Sequence, residues 1–302
     1  MEKVLLTGAS GFIGRNILKC YPRRIGVDGP EFVTLDTQDS ADVVHDLMEP
    51  ILSPITEDDS KFTTIFHLAA KTSVRDFEQS VGANEKILNN VLDWATRNKV
   101  HRLVFASSSS VYGNSHSMKE DSVCLPISEY GISKLVCEQI ITEWCNRTNS
   151  TAISLRLFNV MGQYQRPNML PSLICSQMRN GGPPIEIYGT RFRNWTYVGD
   201  VVWAFYESCR LSSEMTPKTN LVLNMGGTSG VISQTQLIQL FNSITGLPVR
   251  VNPAPPNSLD VSKTQADMTL FKKTFDWAPH SSNLLKSVVE VATDYGLYSS
   301  HN

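Results

Sequence analysis

The sequence predicts an α/β fold, in which a doubly wound parallel sheet is followed by a smaller mixed α/β C-terminal region. Three observations predict it: short apolar strands alternate with helical patterns, a glycine-rich turn joins the first strand to the first helix, and hydroxyl or small side chains follow later strands. We expect residues 1–165 and 195–228 to form the sheet domain, and residues 166–194 and 229–302 to form a lid that binds the substrate.

The composition is that of an ordinary globular protein. The 302 residues carry a formal net charge of −2, with 41% hydrophobic and 19% charged residues. This balance argues against nucleic acid or a membrane surface as a partner, and no apolar run approaches the ~20 residues that span a bilayer. Because Met1–Lys3 lead directly into a strand and the six cysteines show neither disulfide nor metal spacing, we expect a cytoplasmic protein without a signal peptide or a metal site.

A glycine-rich turn follows the apolar run Lys3–Thr7 and opens a helical pattern. A strand, a glycine turn and a helix N-terminus form a site where backbone N–H groups bind a pyrophosphate. Gly8 would allow the tight turn, Gly11 the approach of the phosphates, and Gly14 the packing of helix on strand. The context predicts a Rossmann-type dinucleotide domain. Its predicted cofactor contacts here are Gly8, Ser10, Gly11, Phe12, Ile13 and Gly14.

Two acids are candidates for binding the adenosine ribose of such a cofactor. Asp36 ends the better strand, Phe32–Asp36, whereas Asp28 is closer to the usual distance from the glycines. We favour Asp36 and keep Asp28 as the alternative. No arginine follows either acid to bind a 2′-phosphate, so NAD is expected rather than NADP.

Two further strands and a helix follow along the chain. Val43–Asp46 is predicted as the third strand and Thr64–Ala70 as the fourth, which ends in small residues that let backbone approach a ligand. His67 in this strand is interpreted as a packing residue. The following helix, about residues 79–99, carries Asn84 and an apolar stripe of Leu88, Val91, Leu92 and Ala95.

A run of serines ends the fifth strand, Arg102–Ala106, and spans Ser107–Ser110. Hydroxyl groups at the carboxyl end of a strand lie where open α/β sheets bind ligands, although such a run is also ordinary turn chemistry. Tyr130 and Lys134 follow on a predicted helix, one turn apart. A nearby cation favours the phenolate, so the pair can move a proton to or from an alcohol oxygen.

The second half of the chain adds a basic segment after a short predicted strand, Ile185–Gly189. Arg191 and Arg193 alternate with aromatic residues, which suits a uridine-type base and its phosphates as well as a solvated basic turn. A sixth strand, Ile153–Phe158, precedes this segment, and a final amphipathic helix is predicted over Asn283–Tyr298.

In this order the motifs resemble the extended short-chain dehydrogenase/reductase family, in its NAD-dependent nucleotide-sugar epimerase/dehydratase branch. The matching motifs run from Thr7–Gly14 through Tyr130–Lys134 and Arg156–Gly162 to Trp277–Pro279. The resemblance implies that Tyr130 transfers the proton, that Lys134 lowers its pKa and holds the nicotinamide ribose, and that Ser108 binds the reacting sugar oxygen. The remaining predicted cofactor contacts are Asp46, Leu47, Leu68, Ala69, Ala70, Asn84, Tyr130 and Lys134. The predicted substrate contacts are Ser108, Ser109, Asn159, Asn168, Arg191 and Arg193.

Two departures from the family pattern bear on the reaction. Dehydratases of the family carry an acidic pair where this chain has Ser109 and Ser110, so elimination lacks its acid and base. Asn257 stands where the family has an arginine that binds the substrate diphosphate. The leading hypothesis is a nucleotide-sugar epimerase acting through C4; the alternatives are a 4-ketoreductase or dehydrogenase, and a catalytically silent coenzyme sensor. The resemblance also implies a homodimer built from helices around residues 80–98 and 130–146.

Overall fold

The computed structural model describes residues 2–24, 30–72, 82–115, 118–188, 191–255, 261–279 and 283–299. Contacts divide the chain into two compact units. The first comprises Met1–Ser115, Ser122–Arg156 and Val202–Leu223, and the second comprises His116–Asp121, Leu157–Val201 and Asn224–Asn302.

The strands are β1 Lys3–Thr7, β2 Glu31–Asp36, β3 Val43–Val44, β4 Thr64–His67, β5 Arg102–Ser108, β6 Thr151–Leu157, β7 Val160–Met161, β8 Ile185–Tyr188, β9 Phe192–Asn194, β10 Thr196–Tyr197, β11 Thr219–Met225, β12 Val231–Ser233 and β13 Val251–Ala254. The helices are α1 Phe12–Arg24, α2 Ala83–Arg97, α3 Glu129–Thr148, α4 Leu170–Asn180, α5 Val198–Ser212, α6 Gln234–Thr245, α7 Thr269–Phe275 and α8 Asn283–Asp294, with 3₁₀ turns at Asp59–Lys61 and Ser109–Tyr112. No described helix is long and apolar enough to cross a membrane.

In the described part of the chain, the main sheet has seven parallel strands in the order β11-β6-β5-β4-β1-β2-β3. The central strand β1 pairs in parallel with β2 on one side and β4 on the other, which places Leu5 between Val33 and Ile65. All three side chains are buried, as expected for a parallel sheet covered on both faces. The predicted doubly wound Rossmann-type sheet is confirmed.

Helices α2 and α3 join this sheet in one apolar core. The predicted stripe of α2 is buried as expected, at Leu88, Val91, Leu92 and Ala95. Trp144 and Cys145 of α3 belong to the same cluster. The side chain of Ser128 caps the start of α3 by accepting a hydrogen bond from the N–H of Gly131.

The second unit has its own core and three short two-stranded sheets among its described residues: β10 with β7, β12 with β9, and β13 with β8. Its core packs residues of α4, α6 and α8, such as Ile174, Phe241 and Val288. Within this unit, the N–H of Phe158 binds the carbonyl of Met225, and the N–H of Thr196 binds that of Asn159.

Several elements are shorter than predicted. The third strand ends at Val44, because the carboxylate and carbonyl of Asp46 accept hydrogen bonds from the N–H groups of Met48 and Glu49 and turn the chain. The last helix ends at Asp294 instead of Tyr298. The predicted helix over residues 79–99 is α2, whose first predicted residues lie outside the described part.

Candidate active site

The glycine turn is packed closely against neighbouring backbone at Gly8 and Gly14. Gly8 adopts φ +71°, and a Cβ there would fall 2.6 Å from the backbone nitrogen of Ala69. A Cβ on Gly14 would fall 2.5 Å from the carbonyl oxygen of Gly8, so α1 starts in close contact with the turn. Side chains larger than hydrogen are therefore excluded from both positions, and the cradle formed by the turn suits a dinucleotide.

Asp36 lies beside this turn at the end of β2. Its carboxylate accepts hydrogen bonds from the N–H groups of Ser10 at 2.9 Å and Thr37 at 2.7 Å. A carboxylate on the glycine turn is well placed for ribose hydroxyl groups and unfavourable for a 2′-phosphate. The alternative acid, Asp28, lies outside the described residues.

The segment after β4 is held by Thr7 and Asn84. The N–H groups of Leu68 and Ala69 bind the carbonyl and the hydroxyl of Thr7, at 3.2 and 3.4 Å. The buried amide of Asn84 binds both backbone groups of Lys71 and donates to the Ser133 hydroxyl at 2.9 Å. Asn84 therefore orders the loop that contains Ala69 and Ala70, and joins it to α3.

Asp46 and Leu47 occupy the turn after β3. Asp46 is exposed, whereas Leu47 is buried and its carbonyl accepts a hydrogen bond from the Asn90 amide at 2.8 Å. The two predicted cofactor contacts thus sit in a turn that α2 supports.

Lys134 is buried at the end of β5, one helical turn after Tyr130. Its ammonium donates to the carbonyl of Ala106 at 2.8 Å, and lies 4.6 Å from the centre of the Phe105 ring and 5.8 Å from that of Tyr130. Burial lowers the pKa of Lys134 to about 8, although Cys137, Glu138 and Glu85 act in the opposite direction. Tyr130 is half-buried in the first turn of α3, where the helix dipole favours negative charge.

Ser108 ends β5 and begins the 3₁₀ turn Ser109–Tyr112. Its hydroxyl accepts a hydrogen bond from the N–H of Ser110 and donates to the Ser110 hydroxyl, both at 3.1 Å. Ser108 and Ser109 are each 8% exposed. The predicted run of serines, Ser107–Ser110, is called the serine edge below and is therefore an ordered turn. In the first unit, Ser108 lies on β5, and Tyr130 and Lys134 lie on α3, which contacts β5.

His67 is buried and binds the hydroxyl of Thr7 through Nδ1 at 2.8 Å. Burial and the nearby charge of Lys134 lower its pKa to about 3, so the ring is neutral at physiological pH. These contacts fit the packing role expected for it.

Four further side chains near Ser108 were given no individual role from the sequence. Ser107, Tyr112, Glu138 and Arg156 are buried and hydrogen-bonded to one another, and are called the Glu138 network below. The sequence held one signal: Arg156 stands within the apolar strand Thr151–Leu157, where a charge requires an acidic partner.

The predicted substrate residues of the second unit lie around β9. Arg191 is buried and donates to the carbonyl of Tyr188 at 2.7 Å, whereas Arg193 donates to the carbonyls of Phe192 and Ser262 at 2.9 and 3.5 Å. The side-chain amide of Asn159 donates hydrogen bonds to the carbonyl of Asn194 and the hydroxyl of Thr264. The backbone of Asn159 has a φ of +30°.

Asn168 and Asn257 are the other two positions of this unit that the sequence analysis named. Asn168 is exposed, in the turn before α4, and Asn257 lies outside the described residues.

Comparison with known proteins identifies the family. Residues 4–226 match the model of the NAD dependent epimerase/dehydratase family. The UDP-glucose 4-epimerase of Corynebacterium glutamicum is 25% identical, over 96% of this chain and 94% of that protein. UDP-glucuronate 4-epimerase 5 of Arabidopsis thaliana is 27% identical, over 91% of this chain and 71% of that protein.

A solved structure extends the similarity to the fold. MoeE5 in complex with UDP-glucuronic acid and NAD superposes with a TM-score of 0.81 and 27% identity, over 98% of each chain. Because the family model covers most of the chain and includes the glycine turn, the serine edge and the Tyr130–Lys134 pair, the protein belongs to the NAD dependent epimerase/dehydratase family.

Proposed function

We propose that the protein is an NAD-dependent epimerase that inverts C4 of a UDP-activated sugar. The observation that carries the proposal is the arrangement at the end of β5, where Lys134 is anchored on Ala106, one helical turn from Tyr130, and Ser108 opens the adjacent turn. The UDP-sugar 4-epimerases among the relatives supply the substrate class.

The cofactor would be NAD, held by the glycine turn and by Asp36. When bound, NAD supplies a hydride acceptor and donor for C4 of the sugar. Asp36 would bind the ribose hydroxyl groups and disfavour a 2′-phosphate. Lys134 would also bind the nicotinamide ribose, and the loop that Asn84 holds would line the same site through Ala69 and Ala70.

Tyr130 would act as the acid–base group. Its phenolate accepts the proton of the C4 hydroxyl and later returns a proton to the same oxygen, so no proton is gained or lost over the cycle. Lys134 favours the phenolate through its charge. When substrate binds, Ser108 would turn its one hydroxyl hydrogen from Ser110 to the C4 oxygen and hold that oxygen near Tyr130.

The serine edge favours this reaction over water elimination. Neither Ser109 nor Ser110 can replace the acid and base that elimination requires. The carboxylate of Glu138 is joined to this segment through Ser107, but it already accepts hydrogen bonds from Ser107 and Arg156. A 4-keto sugar formed at this site would therefore be reduced again.

Arg191 and Arg193 are the proposed contacts of the substrate diphosphate. Arg191 and Arg193 flank Phe192, whose backbone pairs with the segment around Lys263. Arginine binds phosphate oxygens in a bidentate manner, so these residues would supply the charge that Asn257 cannot. Asn159, Asn168 and Ser109 are the further candidates for contacts with the substrate.

A homodimer is part of the proposal. Helices α2 and α3 pack on each other, and Ile132 of α3 is an exposed apolar side chain, 43% accessible. Pairing the same two helices of two copies would cover it. Light scattering would give the mass of a dimer for the wild type and that of a monomer for Ile132→Glu; a monomeric wild type would rule the dimer out.

Incubation with a panel of UDP-, GDP-, CDP- and dTDP-sugars tests the function. Proton NMR should show the C4 epimer appearing with a UDP-sugar, until both epimers are present at equilibrium. Net consumption of NADH with formation of a single alcohol would indicate a ketoreductase instead. Binding of NAD without conversion of any sugar would indicate a coenzyme sensor.

A further inference from the structure

The Glu138 network joins the end of β5, the 3₁₀ turn, α3 and β6. The Ser107 hydroxyl donates to Oε1 of Glu138 at 2.5 Å. Arg156 donates to the same carboxylate from Nε at 3.0 Å and from Nη2 at 2.7 Å, and to the Tyr112 hydroxyl from Nη1 at 2.9 Å. Each of the four residues is 5% exposed or less.

Stability alone does not account for this network. Burying two charges costs desolvation, and apolar side chains of the same volume stabilise a core at least as well as a buried ion pair. The particular property of the bidentate Arg156–Glu138 pair is its direction and fixed distance. The positions that the pair fixes therefore indicate its role.

The network holds both ends of the turn that presents Ser108. Ser107 immediately precedes Ser108, and Tyr112 is the last residue of the 3₁₀ turn that Ser108 begins. Glu138 lies one helical turn after Lys134 and two after Tyr130 on α3. One carboxylate thus connects the turn that carries Ser108 with the helix that carries Tyr130 and Lys134.

A second contact fixes the opposite end of the same arrangement. A Cβ on Gly131 would lie 2.6 Å from the carbonyl oxygen of Ser110, so helix and turn touch through their backbones. Helix α3 therefore contacts the segment Ser107–Tyr112 at two points. One is the backbone contact at Gly131, next to Tyr130, and the other is the hydrogen bond from Ser107 to Glu138, two helical turns later.

We infer that Glu138 is a positioning residue, which holds the Ser108 hydroxyl in place relative to Tyr130 by binding Ser107 and, through Arg156, Tyr112. This inference rests on the proposed epimerase function, because that function gives Ser108 its role. In this inference Glu138 acts through its hydrogen bonds to Ser107 and Arg156, and no contact with sugar or coenzyme is assigned to it.

Two variants weaken the network by different amounts. Glu138→Gln keeps the shape but removes the charge, and Ser107→Ala removes only the link to β5 and leaves the ion pair intact. Ser212→Ala is the control matched to Ser107→Ala. Ser212 and Ser107 are each 2% exposed, and the Ser212 hydroxyl donates to the carbonyl of Cys209 in the same unit. If Glu138→Gln does not fold, Ser107→Ala carries the test.

Kinetics in two backgrounds separate positioning from general destabilisation. We expect Ser107→Ala and Glu138→Gln each to lower kcat by about tenfold with little change in KM, because a misplaced hydroxyl weakens transition-state stabilisation. In the Ser108→Ala background the same changes should cost less than about twofold, since the hydroxyl that they position is absent. Equal losses in both backgrounds, or a similar loss in Ser212→Ala, would overturn the inference.

Hydrogen exchange of the coenzyme-free protein provides a readout that is independent of activity. A peptide covering residues 105–113 should exchange faster in Ser107→Ala and Glu138→Gln than in the wild type and Ser212→Ala. Unchanged exchange in both variants would overturn the inference even if turnover falls. A wild type that converts no nucleotide sugar would refute the proposed function, while this exchange experiment would still decide whether Glu138 orders the turn.

Discussion

The ammonium of Lys134 donates a hydrogen bond of 2.8 Å to the carbonyl oxygen of Ala106. This contact fixes a helix side chain to the end of a sheet strand and places a positive charge out of water. The cost of that burial lowers the pKa of Lys134 to about 8, close to physiological pH. The proton on Lys134 is therefore expected to affect activity within an accessible pH range.

The pH dependence of kcat/KM tests this charge. We expect activity to decline above about pH 8, as Lys134 loses its proton and ceases to favour the phenolate of Tyr130. Glu85 raises the pKa of Lys134, so Glu85→Gln should move the decline to lower pH. Glu143→Gln is the control, because Glu143 is an exposed residue of α3 whose replacement removes the same charge without affecting the pKa of Lys134. A decline at the same pH in both variants would contradict the assignment.

Stability in acid tests the state of His67. The unfolded chain binds a proton at this side chain below pH 6.5, whereas the folded protein does so only near pH 3. Stability should therefore be complete above pH 6.5 and fall on acidification, by about 1.4 kcal/mol per pH unit from this residue. His67→Asn can still bind Thr7 and should remove that contribution to the slope in denaturant titrations between about pH 4 and 6. An unchanged slope would mean that His67 is not buried in its neutral form.

Coenzyme selectivity tests the position of Asp36. Asp36→Ser should weaken NAD binding by about tenfold, through the loss of a charged acceptor, and should improve NADP binding relative to NAD. Asp39→Ser, in the exposed loop that follows, should change neither affinity. Calorimetric titration of both coenzymes measures the ratio, and an unaltered ratio in Asp36→Ser would point to Asp28 instead.

Replacement of Tyr130 separates chemistry from binding. Tyr130→Phe removes the phenolic oxygen and keeps the ring that packs near Lys134, so turnover should fall by at least about a hundredfold while the affinity for NAD is kept. Tyr295→Phe is a suitable control, because Tyr295 packs against the core of the second unit and is not among the proposed site residues. Retention of full activity in Tyr130→Phe would exclude Tyr130 as the proton-transfer group.

The main sheet was predictable because local pattern and global fold agree. Each buried strand is a short apolar run, and the glycine turn stands between β1 and α1, where only small residues fit. The Tyr130–Lys134 pair followed from spacing on one helix. Such features depend on residues close together in sequence.

Features that depend on distant residues were not predictable. Asn159 binds Thr264 across 105 residues, and Arg156 binds Glu138 from a different element. The short strands β7, β9, β10 and β12 exist because they pair with one another, and two or three residues carry no periodicity that could be read in advance. The 3₁₀ turn after Ser108 depends likewise on the Ser108 hydroxyl binding the N–H of Ser110.

The balance between sugar turnover and coenzyme use tests the central claim most directly. A catalytic amount of the protein is mixed with an excess of a UDP-sugar. The C4 epimer is followed by NMR, and the nicotinamide absorbance is recorded in the same sample. The account predicts many turnovers to an equilibrium mixture of the two epimers with no net change in absorbance. Product that appears only in proportion to NADH consumed, or no epimer with any UDP-sugar, would contradict it.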